Sequence, residues 1–207
     1  MALAFLLVAC GGESETYRYR MTVYVDTPAG QRSGSSVIEV VSTPAAPMGS
    51  SQEDVRGEAV AVDLPGGTLF ALLSDRTHES AAAYYVGRAY AAVLPYGSDS
   101  RTHLDILRRQ TEPAALPRDE LPPLIRFRNP ADSRTVEALD PSNLAAGFGP
   151  GVRLNRVEVQ MTNDPVTSTI ESRLPNFGAG SGYDAWSATL RFNDPRNLAA
   201  QDFRIGF

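Results

Sequence analysis

Lysine is absent from this chain: all 19 basic residues among 207 are arginine, and against 24 acidic residues they leave a net charge of −5. That balance excludes a basic surface broad enough to hold nucleic acid by charge, so no nucleic-acid partner is expected. A GC-rich coding sequence puts Arg where Lys would otherwise stand, and the missing lysine reads as composition rather than as an anion-binding device. Cysteine is almost missing too. The single Cys10 has no partner for an intrachain disulfide and cannot build a thiolate metal cluster. Histidine occurs twice, as His78 in Asp75-Arg-Thr-His-Glu79 and as His103 in Arg101-Thr-His-Leu-Asp105. A metal could pair them with Glu79 and Asp105, but His-Glu-x-x-His and similar spacings are missing, so no metal site is expected. Gly-x-Ser-x-Gly is missing as well, which leaves only an isolated Ser or Thr beside a histidine as a covalent catalyst. A glycosidase-like carboxylate pair stays open, because separation in space is not visible in sequence. No catalytic residue and no cofactor is assigned.

What is present begins with an apolar run from Ala2 to Ala9 that ends on Cys10. It has the length of a secretory signal core and falls well short of the roughly 18 residues that span a bilayer. Its last four residues, Leu7-Val8-Ala9-Cys10, resemble the lipobox of bacterial lipoproteins: an apolar residue, a permissive position, a small residue and the cysteine that receives lipid. The pattern departs from the family at one place, since the first charge is Glu13 where a lipoprotein signal opens with Lys or Arg. The resemblance implies diacylglycerol on the Cys10 thiol, cleavage before Cys10 and acylation of the new amino terminus. Several chains are needed because a single one holds a protein to a membrane only marginally. It further implies residues 1–9 as signal peptide, 10–15 as a flexible tether through Gly11 and Gly12, and 16–207 as the folded body. An Asp after the cysteine would favour the inner membrane; Gly11 stands there, so the expected address is the periplasmic face of the outer membrane.

With 43% hydrophobic and 21% charged residues, the body can bury a core. Thr16 to Asp26 alternates, with Tyr17, Tyr19, Met21, Val23 and Val25 on one face, which predicts a half-buried strand. The Thr27 to Gln31 stretch supplies turn chemistry and Arg32 to Val41 returns, making a hairpin. Thr43 to Asp54 reads as a loop, Val55 to Leu64 as a third strand and Thr68 to Leu73 as a short, wholly apolar fourth. Ser80 to Val93 predicts a helix with one aromatic face, and Thr102 to Gln110 a second. Tyr84, Tyr85 and Tyr90 could form a ligand platform or, more ordinarily, a stripe that packs on the sheet. Thr111 to Pro123 carries four prolines, Pro113, Pro117, Pro122 and Pro123, and reads as a surface loop that could divide two subdomains.

The second half contains an echo. Asp140-Pro-Ser-Asn-Leu-Ala-Ala146 and Asp194-Pro-Arg-Asn-Leu-Ala-Ala200 agree at six of seven positions. Asp as cap and Pro at the first helical position predict helix starts there, and Asp164-Pro165 a third running to Leu174. From Val152 to Met161 the apolar phase slips by one residue, which predicts a β-bulge near Asn155 or Arg156. Gly178 to Tyr183 reads as a loop before a strand over Trp186 to Phe192; neither P-loop nor Rossmann spacing is there. Phe148 to Leu154 and Asp164 to Thr167 are similar to stretches of uncharacterised proteobacterial proteins, a likeness that implies no activity. The expectation is an α+β fold: an antiparallel sheet, β-rich at its N-terminal end, with the middle helices packed on one face. The leading functional expectation is a lipid-anchored, non-catalytic envelope protein that binds membrane lipid through Cys10 and another envelope protein or small ligand through its body. The alternative is a periplasmic hydrolase of wall or outer-membrane material, with His103 as its best candidate.

Overall fold

The alternation that starts at Thr16 becomes β1 (Glu15–Thr27), and Pro28-Ala29 turns it into β2 (Gly30–Thr43), paired in register from Thr27 with Gly30 to Glu15 with Ser42. The computed structural model describes residues 14–43, 52–74, 81–96, 100–177, 181–191 and 194–206. Cys10 and the whole signal, His78, Glu79, most of the Thr43 to Asp54 loop and the Gly178 to Gly180 stretch lie outside the described residues.

The expected third strand is two strands. Chain from Val55 to Leu64 breaks at Ala59 into β3 (Gln52–Glu58), which pairs with β2, and β4 (Val60–Leu64), which leaves to open a second sheet. β4 turns at Pro65-Gly66 into β5 (Gly67–Ala71). Five strands in two sheets therefore open the fold, in place of the four expected. From Leu69 onward β5 is apolar because both its faces are covered: Leu69 and Ala71 belong to one core, Phe70 and the following Leu72 to another.

Two short helices follow, α1 (Ala81–Ala89) and α2 (Ser100–Leu107). α1 ends four residues sooner than the spacing predicts, and Val93 is left exposed beyond it. The proline-rich stretch contributes the two-residue β6 (Ala114–Ala115) and a 3-10 turn (Arg118–Glu120), then enters the second sheet as β7 (Leu124–Phe127) and β8 (Val136–Leu139). After α3 (Ala145–Phe148) comes β9 (Arg153–Met161). On β9 Val157 faces Val23 and Leu154 faces Val25, and the register shifts between Tyr24 and Val25; Asn155 is the extra residue of the expected bulge. Last come α4 (Tyr183–Ser187), α5 (Ala200–Phe203) and β10 (Arg204–Ile205).

Among the described residues these strands make an antiparallel sheet of six, ordered β10-β3-β2-β1-β9-β6, and one of four, ordered β4-β5-β7-β8. The fold is α+β and β-rich. Its main core lies between the inner face of the larger sheet, from Tyr19, Met21, Val23, Ile38, Val40, Val157 and Val159, and the apolar face of β4 and β5 together with α1. A second core on the far side of the smaller sheet is aromatic: Phe70, Phe127, Phe177, Tyr183 and Phe203 meet mostly edge to face, with centroids 4.9 Å apart for Phe177–Tyr183 and 5.8 Å for Phe70–Phe127. The carboxy-terminal segment closes it. Ala59 N–H donates to Phe203 O at 2.8 Å and Leu73 N–H to Asp202 O at 3.0 Å.

Three further expectations are corrected here. Asp140 and Asp194 do not cap helices; each accepts from the N–H two residues on, Ser142 at 2.8 Å and Arg196 at 2.9 Å, and so closes a turn, with α3 and α5 starting five and six residues later. Asp164 to Leu174 is not a helix but an extended strap that ends in a 3-10 turn (Ile170–Arg173). Thr167 draws the strap to the edge of β2, its N–H donating to Val37 O at 3.2 Å and its hydroxyl accepting from Val37 N–H at 2.9 Å. These tertiary bonds satisfy the backbone groups a helix would have used. Trp186 begins no strand either: it lies in α4, where its ring meets Tyr183 at 5.5 Å and joins the aromatic core.

Candidate functional site

The break at Ala59 creates a cleft between two strands among the described residues. β3 pairs with β2 as far as Arg56 and ends at Glu58; then the chain bends away as β4, and the space between β2 and β4 opens as a wedge of about 400 Å³. Its walls are Ser33, Gly34 and Ser35 on one side and Ala59, Ala61 and Asp63 on the other. Gly34 sets the closest approach: a Cβ there would lie 2.0 Å from the Ala61 carbonyl oxygen, so only glycine lets the two strands cross.

At the apex sits Glu58, 3% exposed. Its carboxylate accepts from Thr169 N–H at 2.6 Å, Ile170 N–H at 2.8 Å and the Thr169 hydroxyl at 3.0 Å. Those are the free donors at the start of the 3-10 turn, so the strap supplies the hydrogen bonds that a buried charge requires. Glu58 is thereby a latch that pins the strap across the apex. Arg173 donates to Asp63 at 2.8 Å, and the Thr68 hydroxyl donates to the same carboxylate at 3.0 Å. Arg32, exposed at the mouth, has no ion pair among the described residues. Two guanidiniums and two carboxylates leave the lining without formal net charge, and serine and threonine hydroxyls complete it. Such a surface offers hydroxyl donors and acceptors along its walls and, at its mouth, the guanidinium of Arg32.

The tyrosines singled out from the sequence are not brought together. Tyr85 and Tyr90 are 1% and 6% exposed, whereas Tyr84 is 48% exposed. The Tyr90 hydroxyl donates to Glu112 O at 2.7 Å, and burial pushes its phenol up. From the sheet, Tyr19 reaches α1 and donates to Ala82 O at 2.5 Å. Tyr84 lines a shallow apolar groove of about 640 Å³ with Gly87, Ala91 and Pro117, bordered by the Arg88–Glu120 pair at 2.9 Å. His103 lies on α2, half-buried, with Nε2 3.1 Å from Pro95 O. Among the described residues no three His, Cys, Asp or Glu side chains cluster closely enough to hold a metal ion.

The two echo turns do meet. Asp140 and Asp194 border one groove of about 560 Å³ alongside β8. Hydrogen bonds from Ser142 lower the Asp140 carboxyl below the usual aspartate range, and Arg196 and Asp194 pair at 2.7 Å. Each carboxylate is thus already engaged within its own turn.

The wedge residues escaped the sequence reading, although two signals bear on them. Ser33-Gly-Ser-Ser36 is a run of small residues within a strand, directly before the β-branched Val37-Ile38. In the third strand the buried phase moves from Val55 and Gly57 to Val60, Val62 and Leu64, a slip of one residue at the bend. No protein-family model matches the chain, and no curated protein or solved structure matches it either.

Proposed function

We propose that this chain is a lipid-anchored module of the bacterial cell envelope that binds another envelope component through its folded body. The observation that carries the reading is Leu7-Val8-Ala9-Cys10 followed by a polar leader that reaches the first strand within five residues, at Glu15. Such a leader extends at most about 18 Å, so a lipidated Cys10 would hold the Glu15 end of the large sheet near the bilayer. β1 then runs 13 residues away from it, about 43 Å at strand rise. With β1 upright on the bilayer, the wedge, at the level of Ser33 and Ser35 opposite Thr22 and Tyr24, would stand clear of the headgroups and open to a partner. Its neutral, hydroxyl-rich lining suits recognition by hydrogen bonds.

The anchoring half of this reading is tested by growing cells on labelled palmitate. Label should enter the wild-type protein and be lost in Cys10→Ala, with the variant moving from the membrane to the soluble fraction. Equal labelling of both would overturn it.

A further inference from the structure

The hairpin fixes which main-chain groups of β2 face which way. Thr27 and Gly30 close a two-residue loop, so even-numbered residues of β2 turn their N–H and C=O toward β1 and odd-numbered residues turn theirs away. β3 takes the outward groups from Glu39 to Thr43. Thr167 takes those of Val37. The next outward positions are Ser35 and Ser33, both exposed and both lining the wedge. On the opposite wall the pairing of Leu64 with Gly67 turns Val60, Val62 and Leu64 toward β5, which leaves the main chain of Ala61 and Asp63 facing the wedge. The cleft is therefore the gap between two strand edges, plugged at its apex by Glu58 and open at its mouth beside Arg32.

We propose that this wedge takes an extended segment of another polypeptide, which adds to β2 at Ser33 and Ser35 as a further strand and sets an acidic side chain against Arg32. The proposal rests on the binding-module reading above and names its partner. A row of main-chain donors and acceptors repeating every second residue is the complement of an extended peptide, and strand addition to such an edge is a common mode of peptide capture. The chain's own strap already uses this edge one step away, at Val37. Charge fixes the chemistry of the segment: Arg173 is held by Asp63 at 2.8 Å, whereas Arg32 is exposed and has no carboxylate partner among the described residues.

The test uses the full chain in detergent micelles and a fluorescein-labelled hexapeptide, Thr-Val-Thr-Val-Thr-Glu, followed by anisotropy. Two companions are titrated beside it: a copy N-methylated at alternate residues, and a copy ending in Lys. The Glu peptide should bind saturably. N-methylation of the peptide and Ser35→Pro in the protein should each weaken binding by about tenfold or more, because each removes main-chain pairing. The Lys copy should bind more weakly to wild type, and this preference should reverse in Arg32→Glu. Absence of saturable binding up to millimolar peptide, or equal affinity for the N-methylated copy, overturns strand addition; the latter comparison does not depend on how Ser35→Pro folds. Failure here with palmitate labelling intact removes the peptide and leaves the anchored module, whereas loss of labelling with peptide binding intact does the converse.

Discussion

At Gly34 an added Cβ would meet the Ala61 carbonyl oxygen at 2.0 Å, and that oxygen belongs to backbone that cannot swing aside. Gly34→Ala must force the two sheets apart at their crossing, and a cost of about 3 kcal/mol or more is expected, read as a lower midpoint in urea unfolding. Glu58 carries a different kind of constraint. Two of its three bonds come from N–H groups on one oxygen and the third from the Thr169 hydroxyl on the other, so Glu58→Gln keeps the geometry only if that hydroxyl turns to accept, and it gives up the charge that strengthens all three bonds. We expect a loss of about 2 kcal/mol in the same assay, and protease cleavage of the strap at lower denaturant than in wild type. Asp26, near the hairpin end, gives a pH signature. The Asn155 amide, then the Arg153 guanidinium and the Gln31 amide, hold its carboxyl below the usual aspartate range. A folded value below the unfolded one contributes stability that is present above about pH 4 and lost as pH falls through the folded value. Asp26→Asn should therefore melt below wild type at neutral pH and converge with it in acid; a difference that widens in acid would contradict the assignment.

Among the elements, those formed by neighbours in sequence were legible and those imposed from a distance were not. β1 and β2 follow from strict alternation and a two-residue turn, and the bulge at Asn155 from a slip of the apolar phase, because each signal is a period that the strand itself must obey. The same slip at Ala59 marks a strand that changes sheets, and the sequence alone does not distinguish that outcome from a bulge. Asp164-Pro165 carries the letters of a helix start, yet the segment is extended, because Val37 offers a free sheet edge and Glu58 an unsatisfied carboxylate some 110 to 130 residues away. Such partners leave no local trace. Thr167→Val tests the strap directly: it removes the hydroxyl that accepts from Val37 N–H at 2.9 Å while keeping the shape. About 1 kcal/mol should be lost, and the Val37 amide should exchange with deuterium faster, while amides in the middle of β1 are unchanged.

For the whole molecule, the antiparallel, β-rich α+β character was legible from composition and turns, but the layering was not. Two sheets share one core and the smaller carries a second, aromatic core on its other side, so β5 had to be apolar on both faces and the last third of the chain had to supply a lid. Tyr85 of α1 and Tyr90 just beyond its end are buried within this layering; only Tyr84 of the three reaches solvent. The candidate site was invisible in sequence for the same reason, since a wedge between two strand edges exists only once both sheets are built. The proposed address rests on ten consecutive residues. Its most direct measurement is the intact mass of the protein extracted from membranes. The account predicts a chain that begins at Cys10 and carries diacylglycerol and an amide-linked acyl group; a chain that begins at Met1 with an unmodified thiol would contradict it.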